Sequence, residues 1–270
     1  MQLGISSFTF GWASGVTRFE APARVLGPHD LLDRARELKV SLVQFGDNLP
    51  LHELPLADRR VLAQRAQKEN IVLEAGARGL TPDHLERNIV IAREIGAPLL
   101  RFVIDAAPFE PRAAEIVSTL RAILPELASL KIGIENHDRF PARVLRDIIE
   151  EVGDKRVGIC LDTANSLGAG EGLREVVPML APHTLNWHIK DYHIARLPSL
   201  MGFCVQGRPA GSGDLEFEFV WEELARFERC ASAVVELWTP PEASIEQTIE
   251  KEARWAAQSL DWLLKWRAWE

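Results

Sequence analysis

The chain holds 270 residues, with a formal charge of −8 and a hydrophobic content of 47%. That length suits one large domain or two small ones, and the apolar share can fill a substantial core. The acidic balance excludes a broad nucleic-acid-binding face, which needs a basic patch, and leaves open only a local basic groove.

The opening MQLGISSFTF lacks the basic start and long apolar core of a signal peptide, and no run of about 18 apolar residues follows it. A first strand is expected over residues 3–8. His29-Asp30 then opens a helix through LLDRARELKV, with apolar residues at helical spacing. Strands at 40–45 and 71–74 follow. Thr81-Pro82 gives an N-cap and a proline at the first helical position of DHLERNIVIAREIG, which Gly96 ends. After a strand at 99–104, Pro111 starts a helix reading RAAEIVSTLRAILPELASL. Strands at 132–135, 157–161 and 184–189 come next. Residues 192–213 form the longest interruption, read as a binding loop or lid, or else as a surface excursion with no role. A last strand at 233–237 precedes a C-terminal helix. Its Trp255, Trp262, Trp266 and Trp269 lie seven, four and three residues apart, hence on one stripe that packs on the outer wall or joins a second copy.

The apolar runs are continuous, as in strands buried on both faces. Eight strand–helix units predict an α/β fold, a (β/α)8 barrel, as a single domain over residues 1–270. A doubly wound sheet is the rival. Its Gly-rich phosphate turn is missing, because the first turn reads SSFTFGW. Three cysteines, Cys160, Cys204 and Cys230, are too few and too odd for a disulfide framework and fit a reducing compartment. The expectation is a cytoplasmic protein with no membrane and no nucleic acid among its partners.

Four apolar runs end in side chains suited to a divalent ion. IGIENH delivers Glu135, VGICLDTAN delivers Asp162, LNWHIKD delivers His188 and AVVELW delivers Glu236. Each has an ordinary alternative. A buried Glu is usually paired, Asp162 could cap the next helix, and His188 could be a satisfied core histidine. Together they fall on the fifth to eighth strands, at the C-terminal ends where barrel active sites form. Left unpaired, such groups would face one low-dielectric cavity at high cost. Three carboxylates and an imidazole suit one ion, Mn²⁺ before Mg²⁺, Co²⁺ or Zn²⁺.

With IENH (134–137), LDTAN (161–165), HIKD (188–191), the GSGD turn (211–214) and VVELW (234–238), the chain resembles the xylose-isomerase-like, sugar phosphate isomerase/epimerase barrels of the AP endonuclease 2 superfamily. The resemblance covers essentially the full length. It implies Glu135, Asp162, His188 and Glu236 as metal ligands, with Glu135 and Glu236 also the catalytic acid/base pair. A metal-bound enediolate of a keto-sugar or sugar acid would then give isomerisation or epimerisation. Losing carbon dioxide from a 3-oxo acid reaches the same enediolate. The segments GISSFTFGWASGV, QFGDNLPLHEL, ENHDRFPA and GRPAGSG are similar to the branch that includes 3-oxo-isoapionate decarboxylase. An endonuclease IV-like nuclease would need more histidines at strand ends and a basic groove. A binding-only barrel would have lost part of the ligand set.

Substrate contacts are expected from Arg101, His137, Lys190, Arg208, Trp12 and Phe8. Each has a structural alternative. Arg101 could pair with Glu74, Lys190 could pair with Asp191, and His137 could merely pack or support a ligand, although a decarboxylase could use it as proton donor. Arg208 lies ahead of the Gly-rich turn as the resemblance implies, but farther from His188 than the family's arginine. Phe8, Phe10 and Trp12 could form an apolar wall or only rim packing. Cations at Arg101, Lys190 and Arg208 would favour an anionic ligand, and no P-loop is present to cradle a phosphate. The tryptophan stripe makes a homodimer or homotetramer the expected assembly.

Overall fold

A computed structural model describes residues 1–15 and 19–269. The strands are β1 (Gln2–Ser6), β2 (Leu42–Phe45), β3 (Val72–Arg78), β4 (Leu99–Val103), β5 (Lys131–Glu135), β6 (Val157–Asp162), β7 (Thr184–Ile189), β8 (Tyr192–Arg196), β9 (Phe203–Gly207) and β10 (Ser232–Val235). The helices are α1 (Pro28–Glu37), α2 (Leu56–Lys68), α3 (Pro82–Glu94), α4 (Ala113–Ala122), α5 (Ala142–Val152), α6 (Leu173–Leu180), α7 (Phe217–Ala225) and α8 (Ile245–Trp266). Eight strands close a parallel barrel in the order β1-β10-β7-β6-β5-β4-β3-β2, as the sequence predicts.

Parallel strands enclosed by helices must be apolar on the outside and filled on the inside. On β7, Leu185, Trp187 and Ile189 turn out toward the helices, with Trp187 facing Phe217 of α7 across 6.3 Å. Asn186 and His188 turn inward, and Lys190 continues that side just past the strand. This alternation stacks polar side chains in layers up the barrel. The registers Asp162↔His188 and Val234↔His188 set the ends of β6, β7 and β10 level with one another.

Several expectations need correction. The first strand stops at Ser6, and Phe8 lies in a 3-10 turn, Ser7–Phe10, closed by reciprocal bonds between Ser6 and Thr9. The last barrel strand ends at Val235, although the Glu236 N–H still donates to Ile189 O at 3.0 Å. The third strand runs on to Arg78. The helix expected through residue 130 breaks at Ala122, ahead of a 3-10 turn, Leu124–Glu126, that contains Pro125. The long interruption is an antiparallel hairpin, β8–β9, paired from Tyr192↔Gly207 to Arg196↔Phe203.

Asp191 anchors that hairpin. Its carboxylate accepts N–H bonds from Tyr192, Ser212, Gly213 and Leu215. Gly213 passes so close that a Cβ there would lie 2.3 Å from both Asp191 Oδ1 and Tyr192 O, which explains the GSGD turn. The tryptophan stripe packs mainly on α7. Trp262 and Trp266 meet Phe217, while Trp266 and Trp269 meet Trp221. Among the described residues no helix is long and apolar enough to cross a membrane.

Candidate metal centre

The structure brings Glu135, Asp162, His188 and Glu236 together at the C-terminal end of the barrel, all at most 3% exposed. Each carboxylate has one oxygen held by the fold. Asp162 Oδ1 accepts the N–H groups of Ala164 and Asn165 at 2.8 and 2.9 Å, so the capping role and a place in the site coexist in one side chain. Glu135 Oε1 accepts from Asn165 Nδ2 at 2.8 Å, and Glu236 Oε1 from Ser6 Oγ at 3.0 Å.

Donor atoms of the four side chains converge. His188 Nδ1 lies 3.3 Å from Glu236 Oε1 and 3.6 Å from Glu135 Oε2. Donor atoms of Asp162, His188 and Glu236 all fall within 4.8 Å of one another, as do those of Glu135, Cys160 and His188. Glu135 Oε2, Asp162 Oδ2 and His188 Nδ1 are buried and make no hydrogen bond of good geometry. Arg101 and Lys190 ion-pair with the two carboxylate oxygens, so His188 Nδ1 is the orphan of the three, a costly state that a divalent ion would relieve. The oxygen-rich set with one imidazole fits a hard or borderline ion. Cys160 does not extend it as a thiolate. Its thiol donates to Asn186 Oδ1 at 3.1 Å, and burial together with Glu135 pushes its pKa well up.

Two buried cations share the site. Lys190 Nζ lies 2.6 Å from Asp162 Oδ2 and 3.1 Å from Glu236 Oε2, not against Asp191. Burial would favour neutral lysine, but Asp162, Glu236 and Glu135 overcome it and raise the pKa. Arg101 pairs through Nε with Glu135 and through Nη1 with Asp47 at 2.9 Å. It does not pair with Glu74, which lies a layer deeper and accepts from Ser232 Oγ and Gln44 Nε2. Burial would also raise Glu236, yet His188, Lys190 and Arg101 hold it well below the usual carboxylate range.

A cavity of about 450 Å³ opens above these groups. Phe8, Arg101, His137 and Lys190 line it, together with Glu135 and Glu236. His137 Nδ1 sits 2.5 Å from Asp138 Oδ1 at the rim. Arg208 and Trp12 do not line it. The Arg208 guanidinium binds Gly207 O and Gln206 Oε1, and Trp12 Nε1 donates to Thr239 O at 2.8 Å. Sequence reasoning missed Arg78, Asn165 and Trp238, which also face the cavity. Trp238 stacks 4.9 Å from Lys190 Nζ, and Arg78 Nε binds Asp47 Oδ2 at 3.0 Å. Trp238 follows Glu236 by two residues, so simple alternation would have put it on the same side.

Known proteins resemble the whole of this architecture. The 3-oxo-isoapionate decarboxylase of Pectobacterium atrosepticum is 31% identical over 265 residues, covering 97% of this chain and 95% of the relative. D-psicose 3-epimerase of Clostridium cellulolyticum H10, solved with D-tagatose, superposes with a TM-score of 0.71 at 14% identity, over 98% of this chain and 99% of that one. A xylose isomerase-like barrel from Mycobacterium smegmatis, solved in complex with magnesium, gives 0.68 at 14% identity over 96% of each chain. The model of the xylose isomerase-like TIM barrel family matches residues 32–266, and with the site and the barrel already described, the chain belongs to that family.

Proposed function

We propose that the chain is a divalent-metal-dependent enzyme that decarboxylates a 3-oxo sugar acid of the isoapionate kind. The observation that carries this reading is the set of cations in the cavity lining, where Arg78, Arg101 and Lys190 stand beside Glu135 and Glu236, with Asp138 at the rim. The 31% identity to a decarboxylase supports it. The buried cations Arg101 and Lys190 offset all but one of the charges on Glu135, Asp162 and Glu236. A divalent ion would turn that single negative charge into a single positive one, which favours a monoanion over a neutral sugar.

Glu135, Asp162, His188 and Glu236 would hold the ion, Mn²⁺ in the first instance. Bound there, it would supply Lewis acidity toward negative charge developing on substrate oxygens. Loss of carbon dioxide breaks the bond between the carboxylate and the neighbouring carbon. The electron pair passes to that carbon and on to the 3-oxo oxygen, and a proton then closes the vacated carbon. Only contacts that strengthen as the charge moves speed this step. Arg78, at the rim, orients the carboxylate. Lys190 and Arg101, deeper in, face the oxygens where charge arrives. Phe8 and Trp238 give the neutral carbon dioxide an apolar wall. His137, beside Asp138, delivers the proton.

A second reading, isomerase or epimerase, is favoured by one observation. Glu135 and Glu236 both line the cavity, each with one oxygen hydrogen-bonded to a neighbouring side chain and the other ion-paired to a cation of the same lining. Two such groups could remove a proton on one face and return it on the other. The same proposal includes a cytoplasmic location, in keeping with three free cysteines, and a homodimer or homotetramer, supported by exposed Leu200, Met201 and Phe203 at the hairpin tip. A monomeric mass by light scattering would remove that part.

The deciding experiment is NMR in D₂O on Mn²⁺-loaded and metal-stripped protein with 3-oxo-isoapionate and a panel of ketoses. Loss of the carboxyl carbon signal, with deuterium at the vacated carbon and only in the loaded sample, is expected. Deuterium beside the carbonyl with every carbon retained would instead establish the isomerase or epimerase.

A further inference from the structure

Beneath the site lies a sealed layer of polar side chains, Gln44 of β2, Glu74 of β3, Asn186 of β7 and Ser232 of β10, all at most 5% exposed. With the Glu74 carboxylate ionised, their donors and acceptors fit together in one way. Asn186 Nδ2 donates to Ser232 Oγ at 2.8 Å, and Ser232 Oγ donates to Glu74 Oε1 at 2.6 Å. Gln44 Nε2 donates to Glu74 Oε2 at 2.8 Å and to Asn186 Oδ1 at 3.2 Å. Turning the Gln44 amide over would set its oxygen against both of those acceptors. Its oxygen is therefore fixed toward β7, where it stands 2.7 Å from His188 Nε2.

An amide oxygen only accepts, so the ring nitrogen facing it must carry the proton. That leaves the lone pair of the neutral ring on Nδ1, the atom that is buried without a hydrogen bond and turned toward Glu135 and Glu236. We propose that Gln44 is a positioning residue. It locks His188 as the Nε2–H tautomer and aims Nδ1 into the site, while Glu74, Ser232 and Asn186 keep the Gln44 amide from turning. The idea rests on His188 being a metal ligand only for its consequence, not for the tautomer itself.

The test is long-range ¹H–¹⁵N NMR of the histidine rings in metal-free protein, at a pH where the His188 ring is neutral. Wild-type His188 should show its proton on Nε2 alone. Gln44→Met keeps the length of the side chain and removes the acceptor. It should give a mixture of tautomers, together with Mn²⁺ binding about 10- to 100-fold weaker by titration calorimetry, the usual effect of losing a ligand's supporting hydrogen bond. A purely structural role for Gln44 would leave the tautomer unchanged. A folded Gln44→Met variant that retains Nε2–H alone overturns the proposal. So does a wild-type spectrum with the proton on Nδ1, which needs no variant to fold. Wild-type protein that shows the expected tautomer but binds no Mn²⁺ would refute the metal reading and leave the positioning role standing.

Discussion

At the scale of single residues, the side chains of the site answer to the fold and to the cavity at once. Asp162 caps a turn with one oxygen and meets the Lys190 ammonium with the other, at 2.6 Å. That ammonium stands where an incoming cation would also find its ligands, since it reaches Glu236 Oε2 at 3.1 Å. Lys190→Met should therefore tighten Mn²⁺ binding by about tenfold, on the order of 1.4 kcal/mol. The same variant leaves Asp162 and Glu236 facing each other without a cation. The metal-free protein should lose about 3 kcal/mol of stability, as expected when one partner of a buried ion pair is removed. Calorimetric titration and urea unfolding in chelator read the two effects separately. Unchanged Mn²⁺ affinity would mean that the ammonium does not contend with the ion.

At the scale of elements, the turn after β1 depends on α8. Glu252 of α8, fully buried, accepts the N–H groups of Trp12 and Ala13 at 2.9 and 3.1 Å. Burial raises its pKa from 4.5 to about 7, against the lowering effect of those N–H bonds. Between these values the folded protein holds a proton that the unfolded chain has released. The contribution is thus complete below 4.5 and lost as pH rises through about 7. Its size is on the order of 3 kcal/mol. Glu252→Gln cannot ionise, so its stability should fall less than that of wild type between about pH 5 and about pH 8. Parallel urea midpoints for the two proteins across that range would sink the assignment. The elements themselves were unevenly legible. Continuous apolar runs marked the barrel strands, and β7 matched its expected residues throughout. The expected end of β3 at Glu74 was too early, because Ala75, Gly76 and Ala77 carry weak strand preference. That cut removed Arg78 from the inward alternation and so from the candidate site. The hairpin read as a loop because no Asn-Gly or Asp-Gly turn joins YHIAR to FCVQG. Arg101 was rightly judged to need a partner. The partner was misassigned because barrel closure brings Asp47, 54 residues away, over the same opening.

At the scale of the whole molecule, the candidate ligands span half of the barrel wall. They come from β5, β6 and β7 and from the residue after β10, which are four consecutive strands in the closed order. The last of these is the seam at which β10 pairs with β1 from Gln2↔Ser232 to Ile5↔Val235. An ion held by all four would bind the folded barrel and not the unfolded chain, so its binding energy adds to the stability of the whole. At Mn²⁺ about 100-fold above its dissociation constant, the gain is about 2.7 kcal/mol. For a domain of this size that corresponds to a rise in melting temperature of roughly 5 °C, within a single transition. An acidic chain of net charge −8 also attracts cations without a site, so the rise needs a reference. Glu236→Gln, which removes one ligand oxygen beside His188, provides it. General attraction would raise both melting curves alike, whereas a built site raises the wild-type curve and largely spares the variant. Differential scanning calorimetry with Mn²⁺ and with chelator separates the two. Equal shifts in both proteins would show that the four strand ends do not hold an ion together.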